Sequence, residues 1–565
     1  MPTRSRLTLF SILIGLLCWL PVGIYFWTVH RHAVDFFYAD DFHLFKTIVW
    51  VKESTSWKTV VELFIQQHNE HRIVVPRLIT WLDYWLEGHV NFRSLIFLGN
   101  LSWLGVLIIL FQRYRTLNLP SLFYFLPIPF LLFQPQFSDN VTWAISGLQQ
   151  TVIILLALLI ITQLSKPKLN IGLAIALTVV ATFTHGNGMF IFLVGIVLLS
   201  LRKAWKALGI WIGILACIVL FYFWNYQAGQ NANIGGSLAN PLRLLAGFFA
   251  FWGSLASVFS KNPMAAVVLG GLIFLLHSIK VVQFFGIYFQ NKSRGLLPET
   301  TLFLVGCYVF FSITAGLVSL SRSWGGIESI LMTRYAHYSP LLVSLCLLWW
   351  LPNLLAAKSR LFSLPTNQLI STFIFGFSLI FNALSYYYFT PELLVRQQSL
   401  WADSYNWKHH QTFLGYPRSF TENIKSVYQQ AEQMGICQTP TPFEQLIAQP
   451  PSPTATIPVQ LSRFATQDQD ASGVYQRQYA HVEQVSLEPD NYLWLRSQEQ
   501  PYLVSTIQKR ASKKIFFTTT HTLGNGFSAN LLTESLPKGE YQIAIVQLKN
   551  TKPFVFLTPQ TLVIP

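Results

Sequence analysis

Long apolar runs recur along the first 390 residues of the chain, separated by short polar segments. Most have about the 20 residues that an α-helix needs to cross the hydrocarbon core of a bilayer. The pattern predicts a polytopic α-helical membrane protein with about 11 transmembrane helices. The predicted spans are residues 7–27, 94–112, 119–134, 147–164, 169–184, 188–201, 207–225, 264–288, 300–319, 337–352 and 367–389.

The basic residues between these runs predict which loops are cytoplasmic. Five clusters fall on one side of the membrane if residues 241–259 form an interfacial or re-entrant helix instead of a span. The N-terminus is then cytoplasmic and the C-terminal tail lies outside; a crossing at 241–259 would place the tail in the cytoplasm. The clusters are Arg113 and Arg115, Lys166 and Lys168, Arg202, Lys203 and Lys206, Lys292 and Arg294, and Lys358 and Arg360.

The pattern changes after Pro391, where charged residues, Gln and Pro increase and the long apolar runs end. A polar helix is predicted over 419–434 and a Pro-rich linker over 440–453. Short alternating segments such as 541–548 and 554–563 predict β-strands. The chain therefore divides into a membrane module, a helical and Pro-rich linker, and a small β-rich extracytoplasmic domain. Their bounds are 1–390, 391–453 and 454–565.

Composition agrees with a membrane protein and excludes two other classes. The chain is 52% hydrophobic and 11% charged, whereas soluble globular proteins carry about 25% charged residues. A soluble enzyme and a disordered chain are both excluded. The net charge of +15 lies in the membrane part, because the tail is nearly neutral, so it does not indicate nucleic-acid binding. The five cysteines have no spacing that predicts a disulfide framework or a zinc site.

The first outside loop, residues 28–93, is long enough to carry function. Helices are predicted over 57–65 and 74–86. Asp40 and Asp41 follow an aromatic run near the membrane surface. Partial burial there would raise the pKa of a carboxyl and suit a general base. The alternative is the solvated start of a loop.

The same loop contains a segment dense in hydrogen-bonding groups, with His68, Glu70, His71 and Arg72. We predict that it orients a polar substrate or packs against the acidic pair. A zinc site is a weaker interpretation, because a zincin motif needs a longer interval between its histidines and no third ligand is spaced with these two.

The next two outside loops each offer candidate residues. Asp139 is the acid of the second loop, and the alternative is that it caps the following helix. The third loop presents His185 and Asn187 between glycines. A tight turn explains those glycines but leaves the histidine unexplained.

A late outside loop places Arg322, Arg334 and Tyr335 near the membrane rim. Arginine is costly there unless it is paired or reaches the interface. Two guanidinium groups predict a phosphate clamp, because guanidinium binds phosphate with two parallel hydrogen bonds. Anchoring in the aromatic belt of the membrane is the alternative.

These features, taken in order, resemble the GT-C superfamily of integral-membrane glycosyltransferases, which includes protein O-mannosyltransferases and aminoarabinose transferases. The resemblance covers about residues 7–390. It consists of an acidic pair after the first span, a long first outside loop, an acid in the second outside loop, and arginines in a late one. The chain departs from the family in having Asp-Asp where Asp-Glu is common, and by order Asp40 matches the catalytic acid.

The resemblance implies an inverting transfer of a sugar from a polyprenyl-phosphate donor to a lipid, glycan or protein acceptor. It implies catalysis by Asp40 or Asp41 with help from Asp139, and phosphate binding by Arg322 and Arg334. It places the reaction on the outer face of a bacterial-type plasma membrane. No cofactor is assigned; some members bind a divalent cation near the acidic pair, so a cation beside Asp40 and Asp41 stays open. The sequence shows no Gly-rich fingerprint for a nucleotide sugar.

Two other functions are compatible with the pattern. A transporter or flippase for lipid-linked saccharides would use the same arginines, but it predicts acids within the spans, which hold almost none. A non-catalytic scaffold presenting the β-rich domain would leave the acidic loop and the outside arginines unexplained.

Overall fold

The structure, a computed structural model, forms two compact units, each built from separate stretches of chain. The first contains Met1–Arg31, Ile65–Pro76 and Ile96–Tyr386. The second contains His32–Phe64, Arg77–Leu95 and Tyr387–Pro565. The described residues are 9–227, 229, 232–290, 297–356, 360–361, 364–441, 443, 453–470, 473–497, 501–549 and 552–564.

Helices make up most of the described chain. In order they are α1 (Leu9–His32), α2 (Phe42–Glu53), α3 (Trp57–Ile65), α4 (Val74–Glu87), α5 (Phe92–Thr116), α6 (Pro127–Leu132), α7 (Ser138–Thr142), α8 (Ala144–Ser165), α9 (Ile171–Thr182), α10 (Ile191–Leu201), α11 (Trp205–Tyr222), α12 (Ile234–Leu238), α13 (Pro241–Trp252), α14 (Pro263–Gln290), α15 (Glu299–Arg322), α16 (Tyr338–Ala356), α17 (Thr366–His410), α18 (Arg418–Gln433) and α19 (Lys513–Thr519).

Eight of the described helices are long and apolar enough, by length and composition, to cross a membrane. They coincide with eight of the eleven predicted spans. The other three predicted spans are shorter helices. Residues 169–184 and 188–201 hold α9 and α10, of 12 and 11 residues. Residues 119–134 hold a 3-10 turn and the six-residue α6, because closely spaced prolines remove backbone donors and interrupt a helix. The total of eleven stays a prediction.

The segment predicted to be interfacial or re-entrant forms α13 and a following 3-10 helix, Ser254–Val258. The 12 residues of α13 extend about 18 Å, less than the roughly 30 Å of a hydrocarbon core. The segment packs closely on α14. A Cβ atom on Gly253 would lie 2.0 Å from the carbonyl oxygen of Ala266, and one on Gly270 would lie 1.8 Å from that of Phe249. Glycine at both positions therefore permits the backbones to touch.

The second unit has an aromatic core that includes the run before the acidic pair. Phe36 and Phe37 are buried, and Phe37 lies 5.3 Å from the ring of Phe413 and 5.1 Å from that of Tyr428. Trp407 stacks on Phe413 at 4.9 Å. Edge and stacked contacts of this kind add to the free energy gained by burying the rings.

The C-terminal part of the second unit is a β-sandwich, which confirms the predicted β-rich region. One sheet has the order β3-β11-β10-β6-β7 and the other β4-β5-β9-β8. Apolar side chains from both sheets share one core. All pairings are antiparallel except that of β3 with β11. The strands, after the two-residue β1 (Arg360–Leu361) and β2 (Leu364–Pro365), are β3 (Pro453–Thr456), β4 (Gln460–Asp470), β5 (Gly473–Gln484), β6 (Asn491–Arg496), β7 (Tyr502–Ser505), β8 (Ile507–Arg510), β9 (Leu523–Leu532), β10 (Gly539–Lys549) and β11 (Lys552–Ile564).

The predicted boundary at residue 390 falls inside α17, which continues through Pro391 to His410. Residues 391–410 are therefore helical, and Ala402 and Tyr405 pack against Tyr492 and Leu503 of the sandwich. The polar helix expected over 419–434 is α18. Most of the predicted Pro-rich linker, 442 and 444–452, lies outside the described residues.

Candidate functional site

The acidic pair lies in a short 3-10 turn, Ala39–Asp41, directly before α2 in the second unit. Ala39 has φ +45°, a left-handed conformation that costs an L-residue about 1–2 kcal/mol. Several hydrogen bonds hold the turn, among them one of 3.0 Å from Asp41 N–H to the Tyr38 carbonyl oxygen. Ala39 N–H donates to the Tyr416 hydroxyl at 2.9 Å, and Tyr38 N–H donates to Asp41 Oδ2 at 3.1 Å. Backbone strain maintained by surrounding contacts is a recurring property of functional sites.

The two carboxylates of the pair have different surroundings. Asp41 is only 1% exposed and its side chain accepts a backbone hydrogen bond within the turn, which gives it a structural role. Asp40 is half-buried, so its carboxylate is the more accessible. Beside the turn, the Arg396 guanidinium lies 4.6 Å from the centroid of the Tyr38 ring. The geometry favours Asp40 as the base, in agreement with the order of motifs in the sequence.

The strain at Ala39 makes a direct prediction. Ala39→Gly should stabilise the folded protein by about 1 kcal/mol, because glycine adopts positive φ without a Cβ clash. Ala39→Val should destabilise it by more than that. Thermal denaturation of the two variants in detergent measures both effects. Destabilisation of the glycine variant would show that Ala39 is not strained.

The second unit also contains half-buried titratable groups whose pKa values are shifted. Burial, reinforced by the positive charges of Lys46 and Arg77, lowers the pKa of His43 to about 3. Burial raises the pKa of Asp83 to about 6 although the Asn91 N–H partly opposes it. Burial likewise raises the pKa of Asp35, whose carboxylate lies 3.6 Å from His89 Nε2. The second unit therefore disfavours charge at His43 and Asp83.

These shifts predict opposite pH effects at two positions. Folded Asp83 holds a proton that the unfolded chain loses above about pH 4, so its contribution to stability disappears as pH rises towards 6. Folded His43 stays neutral while the unfolded chain takes up a proton below about pH 6.5, so its contribution disappears as pH falls. The thermal-denaturation midpoint of Asp83→Asn, taken relative to that of wild type, should increase as the pH is raised from about 4.5 to about 6.5. The relative midpoint of His43→Gln should increase as the pH is lowered over the same range. Parallel slopes for the two variants would contradict the shifts.

In the first unit, the acid of the second outside loop meets the late loop. Asp139 lies in α7, and its Oδ2 accepts a hydrogen bond of 2.6 Å from the Thr333 hydroxyl. The neighbouring Asn140 donates to the backbone oxygen of Arg334 at 3.0 Å and lies 2.9 Å from His337 Nδ1. Asp139, Arg334 and Tyr335, predicted from separate loops, therefore belong to one cluster.

The guanidinium of Arg334 has no acidic partner among the described residues. It is half-buried, contacts Met332 Sδ at 3.3 Å, and lies 5.7 Å from the Tyr335 ring. Its Nε is buried without a hydrogen-bond partner. Leaving a buried charge uncompensated costs several kcal/mol. A guanidinium without an acidic partner is able to form charge-assisted hydrogen bonds to an anion.

Further buried polar atoms in this cluster also have no hydrogen-bond partner in the described chain. They are Gln134 Nε2, Gln136 Oε1 and His337 Nε2. The short helices containing Gln136 and Arg334 pack on each other. Because native structures leave few buried polar groups unpaired, several in one place indicate a site for a polar ligand or ordered water.

The segment 68–72 is a tight turn in the first unit. His68 and His71 exchange backbone hydrogen bonds of 2.7 and 2.8 Å, and Asn69 has φ +47°. Arg72 donates to the carbonyl oxygens of Ile65, Tyr222 and Trp224. This guanidinium links the backbone at Ile65 to the backbone at residues 222–224, so the structure favours a structural role over the predicted substrate contact.

His71 and His185 face each other with ring centroids 4.2 Å apart. Burial lowers the pKa of both histidines; Glu70 raises that of His71, and Arg322 lowers it. The structure therefore brings four predicted residues together: Glu70, His71, His185 and Arg322. His71 Nδ1 and Glu70 Oε1 are buried without a partner among the described residues, so both can form a hydrogen bond with a hydroxyl.

The hydrogen bonds of His185 fix its tautomer. Nδ1 accepts from Asn187 N–H at 3.2 Å, so the proton of the neutral ring is on Nε2. That nitrogen lies 3.3 Å from the side-chain amide of Gln150, which must then present its oxygen. The Asn187 side chain bonds to Thr314 at 3.0 Å and is occupied within the unit.

Sequence reasoning missed several members of these clusters. Thr333, Asn140 and His337 carry no motif, although a histidine and an amide next to apolar runs are a weak signal. Tyr416 and Ala39 could not be recognised without coordinates, because their roles depend on a turn and on a contact between residues 377 positions apart.

Among the described residues no group of three or more His, Cys, Asp or Glu side chains is placed to hold a metal ion. The Asp40 and Asp41 carboxylates could supply two oxygen ligands. Asp40 and Asp41 belong to the second unit, and the other predicted site residues belong to the first. Comparison with protein-family models, curated proteins and solved structures gave no match to this chain.

Proposed function

We propose that this protein is an integral-membrane glycosyltransferase. It transfers a sugar from a polyprenyl-phosphate donor to an acceptor at the extracytoplasmic face of a bacterial-type plasma membrane, with inversion at the anomeric carbon. The acceptor is a lipid, a glycan or a protein. The eight helices of the described chain that are long and apolar enough to cross a membrane suit a donor whose polyprenyl tail stays in the bilayer.

The observation that carries the proposal is the half-buried Arg334 guanidinium, which has no acidic partner in the described chain. A lipid phosphate would supply the missing negative charge. Guanidinium pairs with phosphate through charge-assisted hydrogen bonds, which are about twice as strong as neutral ones. The unpaired amide and imidazole atoms nearby could bind the remaining phosphate oxygens or the first sugar hydroxyls.

The proposed reaction is a single displacement. The acceptor oxygen attacks the anomeric carbon, and Asp40 removes the proton from that oxygen as the bond forms. The bond from the anomeric carbon to the phosphate oxygen breaks, and the lipid phosphate leaves with the electron pair. Arg334 stabilises the negative charge that develops on the phosphate. One displacement inverts the configuration.

Asp139 assists in this proposal by positioning the late loop. Its hydrogen bond to Thr333 fixes the residue directly before Arg334. Arg322, His71 and His185 belong to a second cluster, in which the polar atoms of Glu70 and His71 that have no partner in the described chain suit recognition of sugar hydroxyls.

The test is transfer in proteoliposomes that contain the purified protein, a radiolabelled polyprenyl-phosphate sugar and membrane acceptors. The proposal expects label to move from the donor to an acceptor and free polyprenyl phosphate to accumulate. In a parallel assay the label is supplied as a nucleotide sugar. Transfer from the nucleotide sugar, with none from the polyprenyl-phosphate sugar, would overturn the donor assignment. Movement of intact donor between leaflets without transfer would favour the transporter.

The proposed topology makes its own prediction. Reporter fusions after Arg115 and after Tyr335 should report opposite sides of the membrane, cytoplasmic for the first and extracytoplasmic for the second. A fusion after Lys168 serves as a control for the cytoplasmic side. The same side for Arg115 and Tyr335 would remove Arg334 from the face on which the acceptor is glycosylated.

A further inference from the structure

A second cation without an acidic partner among the described residues lies in the first unit. Lys280 of α14 is only 7% exposed. Its ammonium group bonds to Asn353 Oδ1 of α16 and lies 4.4 Å from the centroid of the Trp350 ring. An amide oxygen and a ring face are neutral, so they leave the positive charge uncompensated. Ionisable side chains within apolar helices are costly and usually functional.

The neighbouring polar group on α14 is neutral and supplies no countercharge. His277 is 2% exposed and lies one turn before Lys280. Its Nδ1 donates to the carbonyl oxygen of Ile273 at 3.0 Å, so Nε2 carries a lone pair, and this nitrogen has no partner in the described chain. Aromatic rings of Trp252 and Trp349 surround it at 5.3 and 6.0 Å.

Lys280 contacts α16 through Asn353 and Trp350, which lie near the end of that helix opposite to Arg334. Arg334 lies four residues before Tyr338, the first residue of α16. Asn353 lies 15 residues after Tyr338, a distance of about 22 Å along the helix at 1.5 Å per residue. Adding the turn that contains Arg334 gives a separation close to the roughly 30 Å of a hydrocarbon core. If α16 crosses the membrane, as its length and composition allow, this separation places the two cations near opposite surfaces.

The surroundings of Lys280 match a membrane interface. Asn353 is exposed and Trp350 is half-buried, and Trp350 Nε1 donates to the Leu276 carbonyl oxygen at 3.2 Å, which holds the ring against α14. Tryptophan and lysine are typical of the level of the lipid head groups. Leu276 lies one turn before Lys280 on the same face of α14; it is exposed and offers apolar surface for an acyl chain.

We propose that Lys280, Asn353 and Trp350 bind the phosphate of an anionic phospholipid head group at the membrane surface opposite Arg334. The Lys280 ammonium provides the positive charge and a hydrogen-bond donor for the phosphate, and the Asn353 amide provides a second donor. The apolar surface beside them favours a lipid over a soluble phosphate. The site is independent of the proposed glycosyl transfer and requires no sugar.

The experiment is a lipid titration of the full-length protein in detergent, followed by thermal unfolding. Phosphatidylglycerol should raise the unfolding midpoint at lower concentration than phosphatidylcholine does. One interfacial lysine contributes about 1 kcal/mol of attraction to anionic lipid. Lys280→Met should therefore weaken the apparent affinity for phosphatidylglycerol about fivefold and leave that for phosphatidylcholine unchanged.

Two further variants make the result specific. Lys280→Arg should keep the preference for phosphatidylglycerol, and Lys168→Met, which removes an exposed lysine, should not change it. Equal preference in wild type and Lys280→Met would overturn the site. Inorganic phosphate that stabilises wild type as effectively as the lipid, and loses this effect in Lys280→Met, would overturn the assignment to a lipid.

Discussion

Replacing both acids of the pair, Asp40→Asn with Asp41→Asn, is expected to lower the rate of sugar transfer by about 10²- to 10⁴-fold, the usual contribution of a general base. An amide cannot take the proton of the acceptor hydroxyl. The substituted turn can still fold, because the side-chain oxygen of the asparagine introduced by Asp41→Asn can accept the Tyr38 N–H as the Asp41 carboxylate does now. Initial rates at saturating donor measure the loss.

The two single variants show how much of the loss in transfer rate each acid accounts for. Asp40→Asn should account for almost all of the loss, and Asp41→Asn should mainly lower thermal stability. Glu62→Gln, at an exposed position in the same loop, is the matched control and should transfer at the wild-type rate. A double variant that transfers normally would show that the base is elsewhere.

The second large effect is expected at Arg334. Charge-assisted hydrogen bonds contribute about 1.5–3 kcal/mol each, so Arg334→Met should weaken donor binding about 10- to 100-fold. The unfolding midpoint of the donor-free protein should stay the same or rise, because the variant removes a half-buried charge that has no acidic partner in the described chain. Donor titration and thermal unfolding of one preparation measure both quantities.

A paired arginine in the same unit provides the matched control. Arg113 is 4% exposed and forms an ion pair with Glu299. Arg113→Met should lower the unfolding midpoint, because it leaves a carboxylate without its partner, and it should not change donor affinity. If Arg334→Met is destabilised like Arg113→Met and binds donor normally, Arg334 is a structural residue.

Local patterns in the sequence predicted the elements that depend on local physics. Helix-like spacing predicted α3 at residues 57–65, and the polar stretch 419–434 was predicted as a helix close to the observed bounds of α18. Alternation with turn residues predicted the strands β10 and β11. In each of these segments, the residue periodicity and the residues at the ends favour the same element that the tertiary contacts stabilise. The local sequence was therefore sufficient to predict the element.

The sequence was less informative where function and packing use the same residue types. Arg72 and Arg334 look alike in the printed chain, yet one is occupied by three carbonyl oxygens and the other has no acidic partner among the described residues. Only contacts between distant segments distinguish them. The sequence also did not identify Lys280 as a candidate binding residue, because one lysine within an apolar run does not change the prediction of a membrane span.

The most direct test of the polyprenyl-phosphate assignment is mass spectrometry of the lipids that co-purify with wild type and with the Asp40→Asn/Asp41→Asn variant. We expect a polyprenyl-phosphate sugar in both preparations and more of it with the variant, which binds the donor but cannot consume it. The mass of the head group would then identify the class of sugar. Well-folded preparations of both proteins that carry no such lipid would contradict the account.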